Sequence, residues 1–324
     1  MVSVLITGGA GVLGSSLAEM LVGKGFRVTC LDYVRAEEAW RLYSIMDRVK
    51  YIWKSSLDIT KNELRDVDIV IDCGIGVADR PLGTLSPFHA TINNITPPLR
   101  LLEVVRHLKK RPVVIYPSSF NSLYGHVNKT LNESTAPSPT SIYGWTKACV
   151  ELLYMTYYRA FNVPTIVVRT GSTFGPKGRS DELPHKLILY CIKGRNYFYL
   201  RSPRAKRLWT FIEDILAFYD ILLNKICSGE DFAGMILHVA GNKGDRIITN
   251  MELAKMIVEI TGAKITIVEG EYEPGEIVDG NPVNFKIDPS FTRSLLNWHP
   301  KYTLDEALKI TVEWFKKNIS RYSI

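Results

Sequence analysis

Residues 2–22 read VSVLITGGAGVLGSSLAEMLV, and this stretch decides the fold. The apolar residues at its start predict a short buried strand, and those after Gly14 predict a helix. Between the two, Gly8 allows a tight turn, Gly11 lets the backbone approach a pyrophosphate, and Gly14 lets the helix pack closely against the strand. A strand, a turn with glycines three residues apart and a helix N-terminus together predict a cradle for phosphate groups.

The second predicted strand, residues 27–31, runs into Asp32. An acidic side chain about 20 residues beyond such glycines accepts hydrogen bonds from the adenosine ribose of a dinucleotide and repels a 2′-phosphate. This position therefore favours NAD over NADP. Arg35 lies close enough in sequence to pair with a 2′-phosphate, which would weaken the discrimination, but NAD is the prediction.

The length and composition predict a soluble enzyme with two parts. A chain of 324 residues is long for one core, which indicates a large domain with a smaller one appended. No apolar run reaches the roughly 20 residues that span a bilayer, and the N-terminus lacks the basic start of a signal peptide. The five cysteines contain no Cys-x-x-Cys pair. We therefore expect a cytoplasmic protein with reduced cysteines, no metal site and no membrane association.

The formal charge of +7 comes mostly from dispersed basic residues, so we expect no nucleic-acid partner. The densest basic stretch is RSPRAKR at residues 201–207. This stretch is interpreted either as a solvated loop or as a positively charged entrance to a binding site for a phosphorylated small molecule.

Strands and helices alternate along the first half of the chain, which predicts an α/β fold with a doubly wound parallel sheet. The predicted strands cover residues 2–6, 27–31, 50–53, 67–72, 111–116 and 163–169, and the predicted helices include residues 15–22 and 99–108. The regular pattern breaks after Thr170. We predict a cofactor domain of residues 1–170, rejoined by about 208–246, and a substrate domain of residues 171–207 with 247–324.

Tyr143 and Lys147 follow the fifth predicted strand and are four residues apart on a predicted helix, so they share one helix face. The lysine ammonium would stabilise the tyrosine phenolate and bind the nicotinamide ribose. A phenolate is a suitable general base for an alcohol proton. The spacing alone also fits a core tyrosine beside a surface lysine. The catalytic interpretation is favoured because the pair follows a predicted dinucleotide site in the same chain.

At this point the chain resembles the extended short-chain dehydrogenase/reductase family, in particular its NAD-dependent nucleotide-sugar epimerases and dehydratases. The resemblance implies a Rossmann domain, a smaller C-terminal α/β substrate domain, a Ser/Thr–Tyr–Lys triad and, often, a homodimer built on helices near residues 99–108 and 147–158. The matching segments are residues 7–14, Asp32, Asp58, Asn94, Ser118 with Ser119, residues 123–125, Tyr143 with Lys147, residues 169–176, Arg207 with Asp214, and residues 296–300.

The same resemblance implies roles for single residues. Ser119, Tyr143 and Lys147 form the implied triad, although the stretch to Tyr124 is one residue longer than usual, so Ser118 or Ser122 could supply the hydroxyl instead. The implied cofactor residues are Gly8, Gly11, Val12, Leu13, Gly14, Asp32, Asp58, Ile59, Cys73, Gly74, Asn94, Ser118, Tyr143 and Lys147. The implied substrate residues are Ser172 and Arg207.

Departures from the family pattern narrow the reaction. Dehydratases follow the triad threonine with an Asp-Glu pair, where this chain has Phe120 and Asn121, so dehydration is not expected. Epimerases place an arginine before a Pro-Gly pair to hold the diphosphate, where this chain has the acidic residues 271–276. Arg207, or the basic loop at residues 201–206, would have to replace it.

The leading hypothesis is a nucleotide-sugar epimerase, similar to UDP-glucose/galactose 4-epimerase, that works by transient hydride transfer to NAD. One alternative is a net NAD-dependent dehydrogenase of a sugar or of a hydroxy amino acid such as threonine. Another is a non-catalytic NAD-binding sensor, against which the intact Tyr143–Lys147 pair argues.

Overall fold

The structure, a computed structural model, describes residues 1–74, 87–124, 130–270 and 286–322. The chain forms two compact units, which are described separately. Unit 1 contains residues 1–124, 133–169 and 219–238. Unit 2 contains residues 125–132, 170–218 and 239–324.

Unit 1 is built on a seven-stranded parallel sheet with the order β11-β7-β5-β4-β1-β2-β3. The strands are β1 (Ser3–Thr7), β2 (Arg27–Asp32), β3 (Lys50–Trp53), β4 (Ile69–Asp72), β5 (Val113–Ser119), β7 (Thr165–Thr170) and β11 (Ile236–Val239). The helices are α1 (Val12–Gly23), α2 (Pro87–Arg106), the short α3 (Phe120–Leu123) and α4 (Ile142–Phe161), and α6 (Ile212–Cys227) ends in this unit. The strand order reverses beside β1, which creates the crevice where doubly wound folds bind dinucleotides.

The central strands form because both of their faces are covered. Every residue of β1, β4 and β7 is buried, as expected for parallel strands between two layers of helices. One large apolar cluster joins the sheet to α2 and α4 through residues such as Leu102, Val114 and Val150. The carboxyl ends of β1, β4 and β5 therefore have a rigid base.

The predicted fold class is confirmed, and β3 has the predicted bounds. The amphipathic stretch predicted at residues 99–108 falls on the second half of α2, which begins earlier, at Pro87, and runs through Pro97 and Pro98. Asn94 lies in this helix before β5, as the resemblance implies. Prolines normally interrupt a helix, but both are buried here, so packing outweighs the two missing backbone hydrogen bonds. The seventh strand, β11, was missed because it lies beyond Thr170, after which the strand and helix patterns no longer alternate regularly.

Within the described residues, unit 2 contains three small sheets, with the orders β12-β10-β8, β13-β9 and β14-β6. Its strands are β6 (Thr130–Leu131), β8 (Ser172–Phe174), β9 (Tyr197–Leu200), β10 (Lys206–Phe211), β12 (Ile247–Thr249), β13 (Thr266–Glu269) and β14 (Lys286–Ile287). Its helices are α5 (Leu183–Ile192), α7 (Asn250–Thr261), α8 (Ser290–Leu296) and α9 (Leu304–Lys317), and α6 begins here. Capping boxes at Thr249 and Thr303 fix the starts of α7 and α9.

No helix among the described residues has both the length and the apolar character needed to cross a bilayer.

Candidate active site

The glycine-rich turn after β1 is closely packed against the backbone around it. Gly8 has φ +63°, and a Cβ atom there would lie 2.5 Å from the carbonyl oxygen of Cys73. A Cβ atom at Gly14 would lie 2.3 Å from the carbonyl oxygen of Gly8. Gly11 donates its N–H to the Gly8 carbonyl at 3.0 Å, which closes the turn. Only glycine fits at Gly8 and Gly14, so the turn has the shape predicted from the sequence.

The start of α1 offers backbone donors to an anion. Gly11 is its N-cap and provides no side-chain acceptor, and no acidic residue lies in the first turn. Val12 and Leu13 occupy the first two helical positions, where backbone N–H groups have no partner within the helix. These free donors and the positive end of the helix dipole suit a pyrophosphate.

Asp32 is buried at the end of β2 and holds the turn in place. One carboxylate oxygen accepts the N–H of Ala10 at 2.9 Å, and the other accepts the N–H of Val34 at 3.1 Å. Each oxygen keeps a further lone pair for a ribose hydroxyl. The Arg35 guanidinium lies 5.1 Å from the centre of the Trp53 ring, in a cation–π arrangement.

The other predicted cofactor residues of unit 1 differ in exposure. Asp58 is exposed in a single 3₁₀ turn, whereas the side chain of Ile59 is buried in the apolar cluster, so any contact of Ile59 with a ligand would involve its backbone. Gly74 donates its N–H to the Thr7 hydroxyl at 3.1 Å. Burial raises the pKa of the Cys73 thiol, which keeps this side chain neutral beside the turn.

Asn94 carries an unsatisfied polar atom in the interior of α2. The side chain is 1% exposed, and its amide nitrogen donates to the Thr146 hydroxyl at 3.1 Å. Its carbonyl oxygen is buried and has no hydrogen-bond partner within the part of the chain that the structure describes. A buried acceptor without a donor is costly, and a ligand donor would satisfy it.

Tyr143 and Lys147 lie in the first two turns of α4, which starts at the N-cap Ser141. The Ser141 hydroxyl accepts the N–H of Gly144 at 3.0 Å and so fixes the entry of the chain into the helix. The Lys147 ammonium is buried and lies 5.8 Å from the centre of the Tyr143 ring. The ammonium also donates to the carbonyl oxygen of Pro117 on β5 at 3.1 Å.

The structure thus joins the tyrosine–lysine pair to the end of β5, where Ser118 is buried and Ser119 is half-buried. Ser119 is the last residue of β5 and the N-cap of α3. The side chain of Ser122, the alternative hydroxyl, lies outside the described residues, as do the acidic residues 271–276. The choice of Ser119 stays a prediction.

Comparison with known proteins identifies the family of this chain. A model of the NAD dependent epimerase/dehydratase family matches residues 4–233. The chain belongs to this family. It is 27% identical to a UDP-glucuronate 4-epimerase of Thermodesulfobacterium geofontis, over 97% of this chain and 96% of that protein. It is 23% identical to a dTDP-glucose 4,6-dehydratase of Haemophilus influenzae, over 99% of each chain.

A solved structure shows the same fold. The UDP-glucose 4-epimerase of Thermotoga maritima, crystallised with UDP-glucose, has a TM-score of 0.84 and 22% identity, and the match covers 98% of this chain and 99% of that one. The predicted family, the enzyme class and the NAD cofactor are therefore confirmed.

The residues present fit the NAD of the epimerase/dehydratase family. The glycine turn leaves no room for side chains, the first turn of α1 has open donors, and Asp32 ends β2 as NAD-binding sheets require. The unsatisfied oxygen of Asn94 adds an acceptor that the protein itself leaves unused. The assignment of each residue to the cofactor remains our prediction.

A pair of glycine substitutions tests the cradle. Gly14→Ala places a methyl group against the Gly8 carbonyl, so the turn must move, and we expect NAD affinity to fall about tenfold or more. Gly23→Ala, at the other end of α1, meets nothing within 4 Å and should leave NAD binding unchanged. Calorimetric titration of both variants with NAD compares the affinities. Equal affinity of Gly14→Ala and the unaltered protein would contradict the role of Gly14.

The two predicted substrate residues lie on neighbouring strands of one sheet in unit 2. Ser172 on β8 is paired with Trp209 on β10, and Arg207 is two residues before Trp209. Since side chains alternate along a strand, Arg207 and Ser172 lie on the same face of this sheet. Both side chains are half-buried. A hydroxyl and a guanidinium on one face can bind the oxygens of a sugar or a phosphate.

Sequence reasoning missed a group of buried polar residues at the carboxyl ends of the central strands. Thr7 on β1 is the register partner of Asp72 on β4, and the two side chains are hydrogen-bonded at 2.5 Å. Tyr154 of α4 donates to the other oxygen of Asp72 at 2.6 Å. An acidic residue that ends an otherwise apolar strand was the available signal.

Proposed function

We propose that this chain is a nucleotide-sugar epimerase, similar to UDP-glucose/galactose 4-epimerase, that acts by transient oxidation of one sugar carbon. The observation that supports the proposal best is the buried Lys147 ammonium, held by the Pro117 carbonyl beside the Tyr143 ring. This geometry suits the removal of a proton from an alcohol. NAD, when bound, would supply the acceptor for the hydride that leaves the same carbon.

Three residues of the chain carry out the remaining steps of the proposed reaction. Tyr143 takes the proton from the sugar hydroxyl and returns it after the ketone has turned in the site. Lys147 stabilises the phenolate and holds the nicotinamide ribose, and Ser119 donates a hydrogen bond that orients the reacting oxygen. Because the same tyrosine removes and returns the proton, no further acid or base is needed.

The residue after Ser119 supports epimerisation over dehydration. Phe120 is fully buried, and its ring packs edge-on against the ring of His238, with 4.6 Å between the centroids. A buried phenylalanine cannot protonate a leaving hydroxyl. The family relatives include both a 4-epimerase and a 4,6-dehydratase. The resemblance implies an Asp-Glu pair after the triad residue in dehydratases, and this chain has Phe120 and Asn121 there.

Incubation with nucleotide sugars tests the function. The protein is mixed with UDP-glucose, UDP-glucuronate or dTDP-glucose, and the sugar products are resolved by NMR. We expect the 4-epimer to appear without added NAD and without net NADH. Accumulation of NADH would support a dehydrogenase instead, and a 4-keto-6-deoxy sugar would contradict the argument from Phe120. No change in any sugar would contradict the proposal for these substrates.

We also propose that unit 1 binds the cofactor and that unit 2 binds the sugar nucleotide. Ser172 and Arg207 are the residues that we assign to the substrate. If Arg207 binds a diphosphate, Arg207→Leu should raise the KM for the nucleotide sugar while kcat changes little, because the lost contact exists before and during the reaction.

We expect a homodimer whose interface is formed by the helices α2 and α4. They pack on each other and leave large apolar side chains exposed, among them Leu99 at 38%, Trp145 at 42% and Leu152 at 63%. Trp145 and Leu152 are seven residues apart and form one stripe. A second copy that presents the same helices would bury this stripe. Light scattering should give twice the mass of one chain, and Leu152→Glu should halve it.

A further inference from the structure

An exposed arginine lies three residues beyond the carboxylate that we assign to the adenosine ribose. Arg35 follows Asp32, which is the last residue of β2. A guanidinium near such a carboxylate can bind a 2′-phosphate, and NADP carries this group where NAD has a hydroxyl. The chain thus combines a residue that excludes NADP with one that suits it, so the contacts of Arg35 bear on the choice of cofactor.

The guanidinium of Arg35 contacts an aromatic ring. It lies 5.1 Å from the centre of the Trp53 ring, which is within the range of a cation–π contact. Trp53 is the last residue of β3 and the register partner of Asp32 on the neighbouring parallel strand. Since side chains alternate along each strand, the ring and the carboxylate extend from the same side of the sheet.

Two side chains of β3 fix the backbone that follows β2. The Trp53 indole Nε1 donates to the carbonyl oxygen of Tyr33 at 2.8 Å. The Tyr51 hydroxyl donates to the next carbonyl oxygen, that of Val34, at 2.7 Å. Trp53 therefore contacts this segment twice, through its N–H at the backbone and through its ring face at the guanidinium of Arg35.

The Asp32 carboxylate has no cation beside it. Its two oxygens accept the backbone N–H groups of Ala10 and Val34. Among the residues that the structure describes, no lysine or arginine is within ion-pair distance of this carboxylate. Arg35 in its contact with the Trp53 ring therefore does not neutralise Asp32. A carboxylate without a paired cation repels a phosphate group.

We propose that Trp53 is a specificity-determining residue for the cofactor: its ring holds the guanidinium of Arg35 in a contact that leaves the Asp32 carboxylate unpaired, and this carboxylate excludes NADP. The proposal concerns the choice of cofactor and does not depend on the reaction that the enzyme catalyses. It rests on the assignment of Asp32 to the ribose, for which a separate variant serves as the test.

Calorimetric titration of the full chain with NAD and with NADP measures the selectivity without any substrate. Trp53→Leu removes the ring and the indole N–H, which frees the guanidinium to pair with Asp32 or with a 2′-phosphate. We expect the affinity for NADP to rise about fivefold relative to the affinity for NAD. Trp53→Phe keeps a ring face for the cation and should retain most of the selectivity of the unaltered protein.

Trp40→Leu is the matched control. Its ring also carries an arginine, since the Arg41 guanidinium lies 4.4 Å from the ring centre. This variant should leave the ratio of the two affinities unchanged. Because Trp53 is 61% exposed, we expect Trp53→Leu to fold, and circular dichroism checks this. An unchanged ratio in folded Trp53→Leu would overturn the proposal.

Removal of Arg35 shows whether the guanidinium is the source of the effect. Arg35→Leu added to Trp53→Leu should abolish the gain in NADP affinity, and a gain that persists in the double variant would contradict the proposal. Arg35→Leu alone should change the ratio by less than about twofold, because the guanidinium is already engaged by the ring. A larger change in this single variant would show that Arg35 acts on the cofactor directly.

Asp32→Asn tests the assignment on which the proposal rests. The loss of the negative charge should raise the affinity for NADP relative to NAD, whatever the role of Trp53. If the ratio stays unchanged, the ribose assignment fails and the proposal fails with it. If Asp32→Asn changes the ratio and Trp53→Leu does not, the ribose assignment is supported and the role of Trp53 is disproved.

Discussion

Tyr143→Phe is expected to lower kcat on the epimerised nucleotide sugar about a thousandfold. The substitution removes the oxygen that takes the proton and keeps the ring, which packs 5.8 Å from the Lys147 ammonium. Lys147 keeps its bond to the Pro117 carbonyl, so the cofactor contacts around it should persist. Steady-state kinetics, together with NAD titration of the same preparation, measures both quantities.

Tyr158→Phe is a suitable control for this variant. Tyr158 lies near the other end of α4 and is half-buried like Tyr143, and its ring packs against Gly234. The control should retain full activity, because its ring contact is unchanged. Retention of more than a tenth of the activity by Tyr143→Phe would show that the phenol is not the base. If Tyr143→Phe also lost NAD binding to the same extent, its low activity would reflect a change of structure and not the loss of the proton acceptor.

The features that could be predicted from the sequence are those that depend on near neighbours. The three glycines lie within seven residues, and Tyr143 and Lys147 lie within one helical turn, so local spacing defines both motifs. The start of α2 could not be predicted, because two prolines inside a helix are tolerated only through tertiary burial.

The interior of the site depends on contacts between distant parts of the chain. Tyr154 reaches Asp72 across 82 positions, and Lys147 reaches the Pro117 carbonyl across 30. Spacing along one element cannot reveal such contacts. Asn94 shows the same limit, since family resemblance indicated the residue but only the structure shows its unsatisfied oxygen. The sequence therefore predicted the reacting groups, Tyr143 and Lys147, more successfully than it predicted the distant groups that hold the site in place.

Glu151→Gln is expected to lower the free energy of unfolding by about 3 kcal/mol, the largest stability effect that we predict. Glu151 and Arg169 have side chains that are 3% and 2% exposed. The guanidinium contacts both carboxylate oxygens and also donates to the Tyr124 hydroxyl and to the carbonyl oxygen of Thr135 at 3.2 Å. Burial lowers the pKa of Arg169, but the hydrogen bonds to Glu151 and the charge of Glu151 outweigh burial, so the pKa of Arg169 is raised.

The neighbouring histidine cannot replace the lost carboxylate. Burial, followed by the charge of Arg169, lowers the pKa of His238 to about 2, so this residue is neutral at physiological pH. In Glu151→Gln the buried guanidinium loses the carboxylate with which it is paired, and of the two carboxylates whose charges raise the pKa of Arg169, Glu133 is left. Urea unfolding measures the stability of Glu151→Gln and of Asp220→Asn. Asp220→Asn breaks the more exposed pair of Lys24 and Asp220, so the two variants compare a buried ion pair with an exposed one.

The exposed pair should contribute less than about 1 kcal/mol, because solvent screens its charges. Replacing both members of the buried pair, as in Glu151→Leu with Arg169→Met, removes the uncompensated charge as well as the attraction. The double variant should therefore lose less stability than the sum of its two single variants. Strict additivity would mean that the two side chains act independently, and equal effects at Glu151 and Asp220 would mean that burial does not strengthen this ion pair.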